Sequence, residues 1–131
     1  MSIADGDSIA VGEVQVTGVY TPGHTPGGMS WTWQACEADR CVTVVFADSL
    51  SSVSADGYRF TDGLGEAIRS SAEKVAALDC DVMVATHPFI YDLHGKFAAG
   101  REAFIDSGAC ATYGQGALRK LQKRLTEESA P

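Results

Sequence analysis

The sequence predicts an α/β domain built on one sheet, with helices on one face of it. Three observations carry this. Strand-like runs fill the chain up to residue 47. Apolar residues then recur at helical spacing in two later segments. Between those segments lies one short, almost wholly apolar run that reads as a buried strand.

Residues 8–11 and 14–20 read as two short strands around Gly12. Residues 29–35 (Met-Ser-Trp-Thr-Trp-Gln-Ala) alternate and are rich in β formers, so they form a third strand. Residues 42–47 (Val-Thr-Val-Val-Phe-Ala) are almost continuously apolar, as in a strand buried on both faces. Residues 48–61 are a Ser/Asp/Gly-rich loop carrying Tyr58 and Phe60. Across 66–78 the positions Ala67, Ile68, Ala72, Val75, Ala76 and Leu78 make one helical stripe, with Arg69, Glu73 and Lys74 outward. Residues 81–86 form a further buried strand that His87-Pro88 ends, and 89–100 read as loop. From Ser107, as N-cap, a helix runs to about residue 128, with Gly114 and Gly116 marking close packing in its middle. The strand at 42–47 wants cover on both sides, and nothing in the sequence covers the sheet's second face.

The 131 residues make one domain, and a hydrophobic fraction of 45% is enough for a core. A formal charge of −7 argues against nucleic acid or an anionic membrane as partner. The one basic cluster, Arg119, Lys120, Lys123 and Arg124, falls near the end of a helix, where cations favour the dipole, and reads as a solvated face. No stretch is apolar enough to span a membrane. Cys36 and Cys41 flank a short polar turn, which suits a local disulfide better than a zinc knuckle. Cys80 and Cys110 could pair at long range; four buried free thiols are the alternative. An even cysteine count points to an oxidising compartment, the periplasm or outside. The opening Met1-Ser2-Ile3-Ala4-Asp5-Gly6-Asp7 is not a signal peptide, so an exported chain is expected to have a longer beginning.

Thr21-Pro22-Gly23-His24-Thr25-Pro26-Gly27-Gly28 holds a histidine on a stiff turn just past a strand. His87 follows another strand, and Asp48-Ser49 follows a third. Ligand sites of α/β proteins cluster at such strand ends, so the three could converge on one metal site. The alternatives are a structural histidine, an Asx turn at Asp48 and loop solvation by the serines. His94, beside Asp92, belongs to the surface. Neither a Gly-x-Ser-x-Gly elbow nor a phosphate-cradling glycine loop is present.

These residues, with Ser30-Trp31-Thr32-Trp33, Ala47-Asp48-Ser49-Leu50-Ser51, Gly57-Tyr58-Arg59-Phe60 and Thr86-His87-Pro88, resemble the C-terminal half of a subclass B3 metallo-β-lactamase. The octapeptide alone marks only the wider metallo-hydrolase superfamily; the Trp-Thr-Trp and Ala-Asp-Ser-Leu-Ser segments narrow it. The resemblance implies half of an αββα sandwich: one mixed sheet with helices on one face. It implies Cys36–Cys41 and Cys80–Cys110 bridges. It makes His24 a ligand of one zinc ion and His87 a ligand of a second. It makes Ser49 and Ser51 hydrogen-bond donors to a substrate carboxylate, Tyr58 a cleft residue and Asp48 the residue that orients a zinc-bound histidine.

The family's principal motif, H-x-H-x-D-H, does not occur in this sequence. Of six family ligands only His24 and His87 are present, one for each zinc, so the expectation is weak zinc binding and no catalytic residue in this chain. The resemblance thus implies the C-terminal half-domain, residues 1–131, of a β-lactam hydrolase whose zinc-bound hydroxide attacks the β-lactam carbonyl. Two other readings stand beside it. One is a non-catalytic half-domain that pairs with a separate N-terminal half or with a second copy of itself. The other is a superfamily hydrolase of a lactone or thioester.

Overall fold

The computed structural model describes residues 2–131. Five strands make one mixed sheet in sequence order: β1 (Ser8–Val11), β2 (Val14–Tyr20), β3 (Met29–Glu37), β4 (Arg40–Ala47) and β5 (Val82–Ala85). β1 to β4 are antiparallel neighbours, and β5 lies parallel to β4. The β4–β5 crossover contains α1 (Gly65–Ala76), as a parallel connection requires. α2 (Leu93–Ala99) and α3 (Ala109–Ser129) follow.

The sequence places these elements to within two residues, with three corrections. The segment 89–100 is not loop: a 3-10 turn at Pro88–Ile90 leads into α2, capped by the Asp92 carboxylate accepting from the Gly95 N–H at 3.2 Å. α2 has no buried residue and Phe97 is exposed, so it leaves no amphipathic signal to read. Ser107 does not cap α3; the cap position is Gly108, with no side-chain bond. Of the two α3 glycines only Gly114 is tightly packed. A Cβ there would come within 2.7 Å of the Ala76 Cβ, whereas at Gly116 the nearest atom is 3.7 Å away. Gly114 is therefore where α3 crosses α1.

α1 and α3 cover one face of the sheet. Val45, Ala47 and Met83 point into this layer and meet Ala72, Val75, Cys110 and Ala117, while Ile68 and Leu121 fill a second cluster with Phe60. Each large apolar side chain buried there contributes about 1.5–3 kcal/mol. Strand periodicity sends the alternate residues to the other face. Trp31 and Trp33 on β3 pair with Phe46 and Val44 on β4, which pair with Val84 and Val82 on β5. All six are only half-buried. α1 and α3 pack on the opposite face.

Both disulfides form. Cys36 and Cys41 are cross-strand partners beside a two-residue turn, and Cys80–Cys110 ties the approach to β5 to the first turn of α3. No cysteine is free. Chain entropy alone credits the short bridge with about 2 kcal/mol and the long one with about 3–4 kcal/mol. No described helix is long and apolar enough to cross a membrane.

Candidate functional site

The strand directions settle where the candidate residues go. β2 and β4 are both antiparallel to β3, so they run the same way, and β5 runs with β4. The C-terminal ends of β2, β4 and β5 therefore lie along one edge of the sheet. The His24 turn, the 48–51 segment and His87 all emerge there.

The His24 turn is fixed from below. Thr21 and Ser30 are fully buried and share a hydroxyl hydrogen bond of 2.8 Å, and Thr21 N–H donates to Gly28 O at 3.0 Å. The Ser71 hydroxyl of α1 donates to Pro22 O at 2.6 Å. Gly23 lies against α1, where a Cβ would sit 3.0 Å from the Ile68 Cα. Gly28 lies against Asp48, where a Cβ would be 2.9 Å from Oδ2. These two glycines answer to close approach rather than to flexibility.

His24 itself is exposed, and its Nδ1 lies 3.4 Å from Ser51 O. A carbonyl only accepts, so this contact favours the Nδ1–H tautomer and leaves the Nε2 lone pair unused. A metal ligand needs that state. Asp48 is held on both carboxylate oxygens: Oδ2 accepts from Met29 N–H at 3.1 Å and Oδ1 from Ser49 N–H at 2.8 Å. Its own N–H donates to Ser30 Oγ at 2.9 Å. Asp48 thus locks the end of β4 to the start of β3. Ser49 Oγ accepts from Ser51 N–H at 3.3 Å, and Ser51 Oγ accepts from Val53 N–H at 3.2 Å. Each hydroxyl keeps its proton available for another acceptor.

A cavity of about 260 Å³ opens beside His24, lined also by Gly23, Val53, Ser54, Tyr58, Phe60 and Leu64. His24 and Tyr58 are thus brought together, with Ser51 behind His24. Tyr58 Oη accepts from Leu64 N–H at 3.0 Å. His87 does not line this cavity. It is exposed at the end of β5, its ring stacked on Phe89 with centroids 5.3 Å apart. His94, on α2, is exposed.

Sequence reasoning missed the residues that hold this edge from the helices. Tyr113 on α3 donates its hydroxyl to Asp48 O at 3.0 Å and accepts from Leu50 N–H at 3.1 Å. Burial pushes its pKa up; the Leu50 N–H opposes this and the Asp48 charge adds to it. Arg124 and Glu128 hold the 54–61 loop. The solvated-face reading fits the exposed Arg119, Lys120 and Lys123 but fails for Arg124, which is half-buried against that loop. The available signal was a polar residue on the helix stripe that also carries Gly114, Ala117 and Leu121.

Among the described residues, no three His, Cys, Asp or Glu side chains form a group that could hold a metal ion. Two separate histidines do not meet the three-ligand requirement of a catalytic zinc, and the cysteines are committed to disulfides. The donor set of this chain therefore does not fit a complete zinc site.

No family model matches the chain. Solved structures do. Rm3 metallo-β-lactamase superposes with a TM-score of 0.94 and 39% identity, over 98% of this chain and 51% of that one. MEM-A1, a subclass B3 metallo-β-lactamase from a soil metagenome library, gives 0.91 and 40%, over 97% and 52%. MIM-1 from Novosphingobium pentaromativorans gives 0.90 and 40%, over 97% and 47%. The chain spans about half the length of each of these proteins. Sequence identity and fold agree: the chain matches the C-terminal half of a subclass B3 metallo-β-lactamase.

Proposed function

We propose that this chain is the C-terminal part of a zinc-dependent β-lactam hydrolase that confers antibiotic resistance, and that it does not turn over substrate alone. The observation that carries this is the shared sheet edge, where His24, the Asp48–Ser51 segment and His87 emerge from three strand ends. His24 and His87 each serve as one ligand of a different zinc ion. The remaining ligands come from an N-terminal half that seats on the open face of the sheet. Ser49 and Ser51 donate to the substrate carboxylate, Tyr58 lines the cleft, and Asp48 stiffens the edge that presents them. A periplasmic or secreted location accords with the two disulfides.

The test is nitrocefin hydrolysis with added zinc. The purified chain is expected to show no turnover above a zinc blank. It is expected to show zinc-dependent turnover once refolded with a subclass B3 N-terminal half that carries H-x-H-x-D-H. Robust turnover by the chain alone, abolished by His24→Ala, would overturn the inactivity.

The open apolar face favours a second reading: two copies of the chain associate through it. Exposed apolar patches larger than a few hundred Å² are rarely tolerated by monomers. Sedimentation over a wide concentration range tests this, and a clean monomer at the highest concentration excludes the dimer.

A further inference from the structure

The loop from Ser54 to Thr61 walls the His24 cavity with Ser54, Tyr58 and Phe60, yet little regular structure supports it. Its support comes from two residues on the last turns of α3. Glu128, whose side chain is only 6% exposed, takes four hydrogen bonds. Oε1 accepts from Phe60 N–H at 2.8 Å and Arg124 Nε at 3.0 Å. Oε2 accepts from Thr61 N–H at 2.9 Å and the Thr61 hydroxyl at 2.7 Å. Arg124 continues the bridge. Its Nη2 donates to Tyr58 O at 3.0 Å and to Ser54 Oγ at 3.3 Å, and its guanidinium lies 5.6 Å from the Phe60 ring centre. Tyr58 and Phe60 meet edge-on, with centroids 4.9 Å apart.

We propose that Arg124 and Glu128 are positioning residues that hold the 54–61 loop against α3 and so set the wall of the His24 cleft. Three features favour this over an ordinary surface ion pair. Exposed i,i+4 pairs contribute a few tenths of a kcal/mol and leave their partners free to move. Here the carboxylate is buried, and two of its bonds come from loop backbone N–H groups that would otherwise lack a partner in the fold. The guanidinium reaches loop atoms through two further bonds, which fix a plane rather than a point. Four loop residues, Ser54, Tyr58, Phe60 and Thr61, are thereby tied to one turn and a half of helix. The ordering costs the loop its entropy once, during folding, and the cleft wall is already in place when a ligand arrives.

The clamp concerns loop geometry in this chain. That the cleft receives a β-lactam rests on the function proposed above. Hydrogen exchange and ring NMR on the 131-residue chain, without substrate, separate the two. In Glu128→Ala, the Phe60 and Thr61 amides are expected to exchange roughly tenfold faster, the scale of a lost charge-assisted hydrogen bond. The Tyr58 and His24 ring signals shift with them, while amides of Val75 and Ala117 keep their wild-type protection. Glu128→Gln keeps one acceptor oxygen, so only one of the two loop amides, Phe60 or Thr61, keeps its protection, and the other meets an amide NH2 that cannot accept. Arg124→Lys releases Tyr58 and Ser54 but not Thr61. Unchanged loop exchange in Glu128→Ala overturns the clamp. So does acceleration spread equally over α1 and α3, since that marks a plain stability effect; if Glu128→Ala does not fold, Glu128→Gln and Arg124→Lys are read against the same pattern. Failure of the nitrocefin test leaves the clamp standing, and wild-type loop exchange in Glu128→Ala removes it whatever nitrocefin shows.

Discussion

The two faces of the sheet are made by the same strands and live in different surroundings. On the helix face Val45 and Ala47 are fully buried and Met83 nearly so. One residue away along each strand, Val44, Phe46, Val82 and Val84 keep part of their surface in water, beside Trp31 and Trp33. The side chains are of the same kind on both faces. What differs is whether this chain supplies a covering layer. The open face is the more surprising of the two, because a soluble sheet with one wet face normally alternates apolar and polar residues. Here both sets are apolar, so these strands are written for cover on each side. The ends of the open face differ as well. Beside the hairpin, Phe104 and Ile105 fold over Ala35, Val42 and Val82 and leave a cavity of about 260 Å³. At the β1–β2 edge, Val11 and Val14 are exposed.

The largest expected effect comes from truncating one residue on each face. Leu121→Ala, in the helix layer, should cost about 2–5 kcal/mol in urea unfolding, as removal of a fully buried leucine does. Val44→Ala on the open face should cost less than about 1 kcal/mol, since part of its surface never left water. Equal losses would mean that the open face is covered in solution, by a second copy for example.

A smaller effect sharpens the comparison at the functional edge, which Tyr113 holds from the helix face. Tyr113→Phe leaves Leu50 N–H without its acceptor and Asp48 O without its donor. The expected loss is about 1–3 kcal/mol, with faster exchange at Leu50 and a changed environment at Asp48. An unperturbed Leu50 amide would show that water replaces the hydroxyl there.

The smallest effect is a pH dependence confined to the end of α3. Burial raises the Glu128 pKa, but the bonds from Thr61, Phe60 and Arg124 outweigh it and hold the carboxyl at about 2. A carboxylate held below its ordinary value stabilises the fold above that ordinary value, near 4.5, and loses the contribution as pH falls toward 2. Wild type should therefore exceed Glu128→Gln in urea midpoint at about pH 6, and the gap should narrow steadily below about pH 4.5. A gap that stays constant down to pH 2 would mean that Glu128 is not held as an anion in the folded state.

Much of the site was legible in the sequence, for identifiable reasons. The His24 turn is marked locally, by two prolines and three glycines, although Ser71 and Ile68 of α1 also help to fix it. The strand ends at Asp48 and His87 follow from where apolar runs stop. What could not be read was contact between elements far apart in the chain. Tyr113, Arg124 and Glu128 lie at least 60 residues from the atoms they hold. Their side chains look like ordinary members of an amphipathic helix. Neither was α2 visible, since no buried face marked its period.

The sequence by itself determined the strands, the two long helices, the stiff histidine turn and the family, because each of these rests on residues close together in the chain. The tertiary structure decided the rest. Strand direction put three strand ends on one edge, and Gly114 let α3 close against α1. That closure carried Tyr113, Arg124 and Glu128 under the loops they hold. The same packing used up one face of the sheet and left the other open. Periodicity states which residues share a face, and only the packed chain states which face is covered.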